Sequence, residues 1–288
     1  MIYYYIPDFV RHLNVNMKLL ELMKIYPNMF YNDFKIGAVF GNFPNCTWNG
    51  GTVLVFHQFL ENNQKYIKDI FNSQGIPLRL TMTNPMLEET DCYDRFANSV
   101  MKNFHDGFNQ VLVSSPILED YIREKYPKYP IVRSVLASHD TPYDDSDKYF
   151  MSVLSKFKNP DIEFLKSIKN KDKIELLVNE TCEETCPHFK QHYLEFAKEQ
   201  LYIQDDLRSV DCLYNRDFNF KKFFNSPLCI TREKIKEIYE PMGFKHFKIS
   251  GRGSHGSIVL FYAHYMVKPE YQNDFICLMM DSICADNY

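Results

Sequence analysis

No stretch of this chain carries the roughly 20 consecutive apolar residues that cross a bilayer, so no membrane partner is expected. Positive charge is not in surplus either. Its 33 Lys and Arg stand against 37 Asp and Glu, a formal net charge of -4. Duplex nucleic acid is normally met by a clustered basic face, and it is not expected as a partner. Eight cysteines in 288 residues are too few for a disulfide scaffold. The opening MIYYYIPDFVRHL lacks the basic-then-apolar order of a secretory signal. The expected location is therefore cytoplasmic, with thiols reduced and available to metal. Three enzyme signatures are missing as well: G-x-S-x-G, the P-loop, and G-x-G-x-x-G after the first strand. Serine-hydrolase, nucleotide-phosphate and dinucleotide readings lose their main support.

What remains is a chain with 45% hydrophobic and 24% charged residues, the balance of a globular protein. Short β-branched runs alternate with amphipathic stretches, the pattern of βα units on a mainly parallel sheet. An opening helix near NVNMKLLELMKIYP precedes a first strand, KIGAVFGNF. LRLTMTN, QVLVSS, IVRSVLAS, KIELLVN and FKHFKIS supply further strands. Helices are expected over 53–73, CYDRFANSVMKNFH, PILEDYIREKY, 188–200, TREKIKEIYEPMG and 257–268. Between 140 and 173 the pattern weakens to a polar turn, a helix to about 157, and DIEFL as a short strand. Six clear strands and one or two weaker ones fit an α/β fold of the TIM-type (β/α)8 class, irregular or incomplete, with an open doubly wound sheet as the alternative. No linker or repeat divides the chain, so residues 1–288 are read as one barrel domain.

In a barrel, the segments just beyond the strands share one mouth, where a site is expected. There the sequence places Cys46, Trp48, Asn49, Asn84, Asn179, Glu180, Cys182, Lys248 and Arg252. Cys182-x3-Cys186 brings two thiols within reach of one metal. Zinc would draw its other ligands from His188, His192 and Cys212; a four-iron four-sulfur cluster would take Cys212 and Cys46. The alternative is that these are buried free cysteines acting as small apolar groups. Core packing is expected for Cys229, Cys277 and Cys284, and a structural role for Cys92 at a helix start, where the helix dipole can lower a thiol pKa. Lys248 and Arg252, with the glycines of KISGRGSHGS, suit a carboxylate or phosphate. Glu180 is a candidate general base and Asn179 a candidate ligand-orienting group.

The runs LLVNETCEETCPHFKQHY and SPLCITREKIKEIYEPMGFKHFKISGR resemble the collagenase-like peptidase family, the U32 group, and its barrel relatives. Asn179, Glu180, Cys182, Cys186, Pro187 and His192 match one motif of that family; Lys248, Ile249, Gly251 and Arg252 match a second. FGNFPNCTWNGG and LTMTNP extend the likeness into the first half. The resemblance implies a TIM-type barrel and, as in several relatives, a cysteine-bound iron-sulfur cluster serving oxygen-independent hydroxylation of a ring or nucleobase. Two cationic positions of the relatives are replaced here, by Phe189 and Thr52.

The leading expectation is thus an iron-sulfur barrel enzyme with Cys182, Cys186, Cys212 and Cys46 as ligands and zinc as the alternative metal. Cys229 competes with Cys46 for the fourth place. Glu180, Asn179, Lys248 and Arg252 are the expected catalytic residues; Asn49, Asn84, His192 and Trp48 the expected substrate contacts. The substrate would be a small molecule or peptide, with a protein partner or electron donor besides. The competing expectations are a metal-free barrel that binds or modifies a peptide or saccharide, and a non-catalytic partner subunit.

Overall fold

Eight short runs of β-forming residues pair edge to edge, in parallel and in chain order, until the last meets the first. The structure, a computed structural model, describes residues 1–51, 63–138, 148–179, 186–204, 220–251 and 254–285. Its strands are β1 (Ile2–Pro7), β2 (Phe34–Gly41), β3 (Leu78–Met82), β4 (Gln110–Val113), β5 (Ile131–Arg133), β6 (Met151–Leu154), β7 (Ile174–Leu177) and β8 (His246–Lys248), closed as a barrel. The helices are α1 (Leu13–Ile25), α2 (Asn63–Asn72), α3 (Arg95–Asn103), α4 (Pro116–Lys125), α5 (Val135–Ser138), α6 (Ile162–Ser167), α7 (Phe189–Tyr202), α8 (Phe220–Phe224), α9 (Arg232–Lys234, running on as a π turn over Ile235–Tyr239), α10 (His255–Met266) and α11 (Gln272–Ala285). This is the (β/α)8 barrel that the alternating pattern predicts.

Alternation along each strand sorts side chains into two cores. Outward residues such as Ile6, Val39, Leu80, Val111 and Leu176 meet the helices in the large core. Inward residues Tyr5, Ala38, Leu112, Val132, Met151, Val153 and Leu177 fill the barrel. The β1–β2 register slips once, between Tyr4 and Tyr5, skipping Gly37. A Cβ there would lie 2.8 Å from Cζ of Tyr5, so the missing side chain admits the inward tyrosine.

Helix starts follow local chemistry. Ser115 caps α4 with Pro116 in the first turn, Asp94 caps α3, and Ser254 caps α10. Gly243 ends the α9 segment at φ +105°.

Four sequence expectations are corrected. The first strand is IYYYIP rather than KIGAVFGNF, since its six residues pair with β2 and three of them, Tyr3, Tyr4 and Tyr5, also pair with β8. The strand of the weak region is Met151–Leu154, where a helix to about 157 is expected. DIEFL is helical, because the Asp161 carboxylate accepts the N–H of Phe164 and starts α6. The helix expected as the last, over 257–268, is α10 (His255–Met266), and a further helix, α11, follows it. Of the helix expected over 53–73, residues 52–62 lie outside the described residues.

Candidate active site

The inward residues divide the barrel axis into two levels. Toward the N-terminal ends of the strands, Arg79 and Glu175, both 0% exposed, form an ion pair at 2.5 Å. Arg79 Nε also donates to Gln110 Oε1 at 2.8 Å, and its guanidinium lies 4.2 Å from the Tyr5 ring. Tyr5 Oη meets His246 Nδ1 at 2.9 Å. Burial drives the pKa of His246 down to about 4, so the ring is neutral at pH 7. Above this level, Phe40, Leu112, Val153 and Leu177 form an apolar floor for a cleft of about 100 Å³ at the C-terminal mouth.

Among the described residues, two titratable acid or base side chains of opposite type line that cleft, Lys248 from β8 and Asp8 just after β1. Lys248 Nζ lies 3.9 Å from the centre of the Phe40 ring, a cation–π contact. Asp8 takes the left-handed conformation, φ +53°, and Asn16 holds the turn by donating to the carbonyls of Pro7 and Asp8 at 2.9 and 3.4 Å. Asn16 Oδ1 in turn accepts from Tyr262 Oη at 2.6 Å. Asp8 Oδ1 accepts the backbone N–H of Arg11 at 2.8 Å and of Val10 at 3.1 Å. Burial outweighs those bonds and raises the Asp8 pKa above the ordinary carboxylate value. Asn42, Asn49, Thr81, Thr83, Ser134, Tyr193 and Ser250 complete the polar rim.

The residues singled out from the sequence separate into three groups. Lys248 and Asn49 line the cleft, and Asn49 Oδ1 accepts from Thr81 Oγ1 at 2.9 Å. Gly251 lines it too, pressed so close to Pro7 that a Cβ would sit 2.2 Å from the proline Cβ.

A second group is committed to the scaffold. Asn179 Nδ2 donates to Ser250 O at 3.2 Å while its Oδ1 accepts from Ser250 N at 2.5 Å, clamping the ends of β7 and β8. Asn84, 0% exposed, donates to Thr47 O and Ala197 O and accepts from Met86 N. Trp48 is buried edge-on against Tyr121, its Nε1–H given to Asp91 O at 2.8 Å. Expected as substrate contacts, Asn84 and Trp48 instead spend their polar groups on backbone of loops and of α7. His192 stacks on Phe196 at 4.7 Å, and the next residue, Tyr193, lines the cleft instead. Cys46 is wholly buried, its thiol 3.9 Å from Met82 Sδ, and burial pushes its pKa up to about 12. Cys229 is equally enclosed, near Tyr265 Oη, with its pKa raised to about 11.

Glu180, Cys182, Cys212 and Arg252 form the third group and lie outside the described residues. Cys186 is half-buried, three residues before α7. Cys92 is buried, and burial with the neighbouring Asp91 and Glu89 raises its thiol pKa, against the lowering expected at a helix start. Cys277 is exposed rather than packed in the core. Among the described residues, no group of three or more His, Cys, Asp or Glu is arranged to hold a metal ion.

Sequence reasoning passed over Asp8, His12 and His255. Asp8 follows a strand that was not recognised. His255 stood in view within GRGSHG, between a strand and a helix.

No family model matches the chain, and no curated protein matches it. Among solved structures it is similar to the U32 peptidase Mk0906, at 14% identity and a TM-score of 0.53, over 88% of this chain and 94% of that one. The two share a fold, the barrel that the resemblance in sequence implies. No helix among the described residues is long and apolar enough to cross a membrane.

Proposed function

We propose that this chain is a barrel enzyme acting on a small carboxylate-bearing molecule at the C-terminal mouth. The observation that carries the reading is that one cleft holds a cation, Lys248 at the end of β8, and a buried carboxyl group, Asp8 just after the neighbouring β1, over an apolar floor. Lys248 holds the anionic end of the molecule. Phe40 and Leu112 cover its apolar part, and Thr81, Thr83 and Ser134 offer hydrogen bonds that fix its orientation. Asp8, whose burial favours the neutral acid, is suited to donate a proton.

The test is thermal shift and calorimetry with a panel of small carboxylic acids, their amides, and short peptides with a free C-terminus. Carboxylates are expected to stabilise the wild-type chain and their amides are not, with binding lost in Lys248→Met. Equal stabilisation of Lys248→Met, or no response to any acid, would sink the reading. A response confined to the peptides would instead favour a peptide substrate, in line with the name of the structural neighbour.

A second reading keeps the iron-sulfur cluster, which would supply one-electron chemistry when bound. Cys186 supports it, being half-open just ahead of α7, the helix that sends Tyr193 into the cleft. Cys46 does not fit: its sulfur is packed against Met82 inside the core and faces no cleft wall. Cys182, Cys186 and Cys212 would then need a fourth ligand other than Cys46. Iron and sulfide analysis of anaerobically prepared protein tests this. Cluster content unchanged in Cys46→Ala and lost in Cys186→Ala would support the reduced set, whereas iron-free protein would remove it.

A further inference from the structure

His12 and His255 come together beside the cleft from opposite ends of the chain. His12 is 1% exposed in the turn between β1 and α1, while His255 is the exposed first residue of α10. Their Nδ1 atoms are 3.0 Å apart and the rings meet edge to face. The other ring nitrogen of His12, Nε2, lies 3.3 Å from the carbonyl oxygen of Gly251, a cleft residue.

These two distances determine where the hydrogens sit. A carbonyl oxygen only accepts, so Nε2 of His12 carries the hydrogen and, in the neutral ring, Nδ1 presents a lone pair. Burial keeps His12 neutral by lowering its pKa to about 4. The hydrogen between the rings must then belong to Nδ1 of His255. In neutral His255 this leaves the lone pair on Nε2, the reverse of the tautomer that free imidazole side chains prefer. Among the described residues, the charged groups facing the pair are Asp8 and Arg11, both from the β1–α1 turn. Arg252 lies outside the described residues.

We infer that His255 is the proton acceptor of the mouth cleft, with His12 as a positioning residue that sets its tautomer by linking it to the Gly251 carbonyl. The inference rests on the acid–base reading of the cleft and adds a base to the acid, Asp8. A proton leaving a bound molecule adds to Nε2 of His255, giving an imidazolium with hydrogen on both nitrogens. The electron pair stays on the molecule, beside Lys248. The imidazolium, close enough to Asp8 for its charge to be felt there, then returns the proton to water, since the His255 side chain is exposed.

Nitrogen-15 spectra of histidine in the full chain test this directly. At neutral pH one neutral ring with hydrogen on Nε2, His12, is expected to couple to one with hydrogen on Nδ1, His255. A wild-type His255 carrying hydrogen on Nε2 overturns the inference without any variant. Diethyl pyrocarbonate, which acylates bare imidazole nitrogens, gives a second readout by peptide mass spectrometry. His255 is expected to react at Nε2, about fivefold more slowly in His12→Phe, the worth of one hydrogen bond. Equal rates overturn the positioning role. Loss of the tautomer with Lys248-dependent carboxylate binding intact overturns the histidine pair alone; an intact tautomer with no carboxylate binding overturns the reading of the cleft.

Discussion

The two levels of the barrel interior use the same strands for opposite ends. Arg79 and Glu175 cancel each other inside the lower level, whereas Lys248 and Asp8 face a shared space in the upper one. Arg79 gives hydrogen bonds to Glu175 and Gln110 and lies over Tyr5, so its charge is consumed within the protein. Lys248 stands two residues further along β8 than His246 and lines the cleft. Polar groups locked in a buried network specify a core, while polar groups that line a cleft can meet a ligand. The comparison predicts that lower-level variants lose stability and upper-level variants lose binding.

The largest expected effect is on the lower level. Glu175→Ala strands a buried guanidinium, and removing one partner of a buried ion pair typically costs about 3–5 kcal/mol. Denaturant unfolding should show a loss of that order, with much of it recovered in Arg79→Met/Glu175→Leu. A loss in Glu175→Ala no greater than that of a surface substitution would erase the distinction between the levels.

Acid should act next, and on both levels. His246 and His12 each have a pKa lowered from 6.5 to about 4 by burial, so the folded chain binds fewer protons than the unfolded one between those values. Stability is therefore lost as pH falls from about 6.5 toward 4. His246→Gln should flatten that acid limb at the lower level and His12→Gln at the mouth, as measured by urea midpoints across the range. A limb unchanged in both variants would show that other groups drive acid unfolding.

The smallest effect belongs to Asp8. Its pKa is raised, so the folded chain holds a proton that the unfolded chain gives up above the ordinary carboxylate value, and stability declines as pH rises from there toward the folded pKa. Asp8→Asn keeps an oxygen to accept the N–H groups of Val10 and Arg11. It should match wild type at acid pH and exceed it near neutrality. A variant less stable than wild type at neutral pH would mean that Asp8 serves the scaffold rather than the cleft.

The barrel was legible where alternation was strong, and the KIELLVN and FKHFKIS strands stand where their apolar runs place them. IYYYIP was missed because three tyrosines in a row hide the alternation: Tyr4 is an outward core residue, while Tyr5 turns inward to the buried ion pair. Met151–Leu154 was missed because its short apolar run is framed by polar neighbours, YDDSDKYF before it and SKFKNP after it, and broken by Ser152. The site was legible in part. Lys248 ends β8 and Asn49 lies in the segment after β2, and both line the mouth, whereas Asn84 and Asn179, two residues past β3 and β7, turn into the backbone. Position along the chain does not say which way a polar group points, because any short amide near a loop can find a carbonyl before it finds a ligand.

By itself the sequence determined the fold class, since the order of apolar periods leaves few ways to bury them and a closed parallel barrel satisfies all of them. Tertiary structure alone decided the pairs that carry charge and protons. Arg79 with Glu175 and His12 with His255 are separated by 96 and 243 residues. Nothing local encodes those meetings: they arise when the barrel closes, bringing β3 and β7 to the same interior level and the α10 start back to the β1 turn.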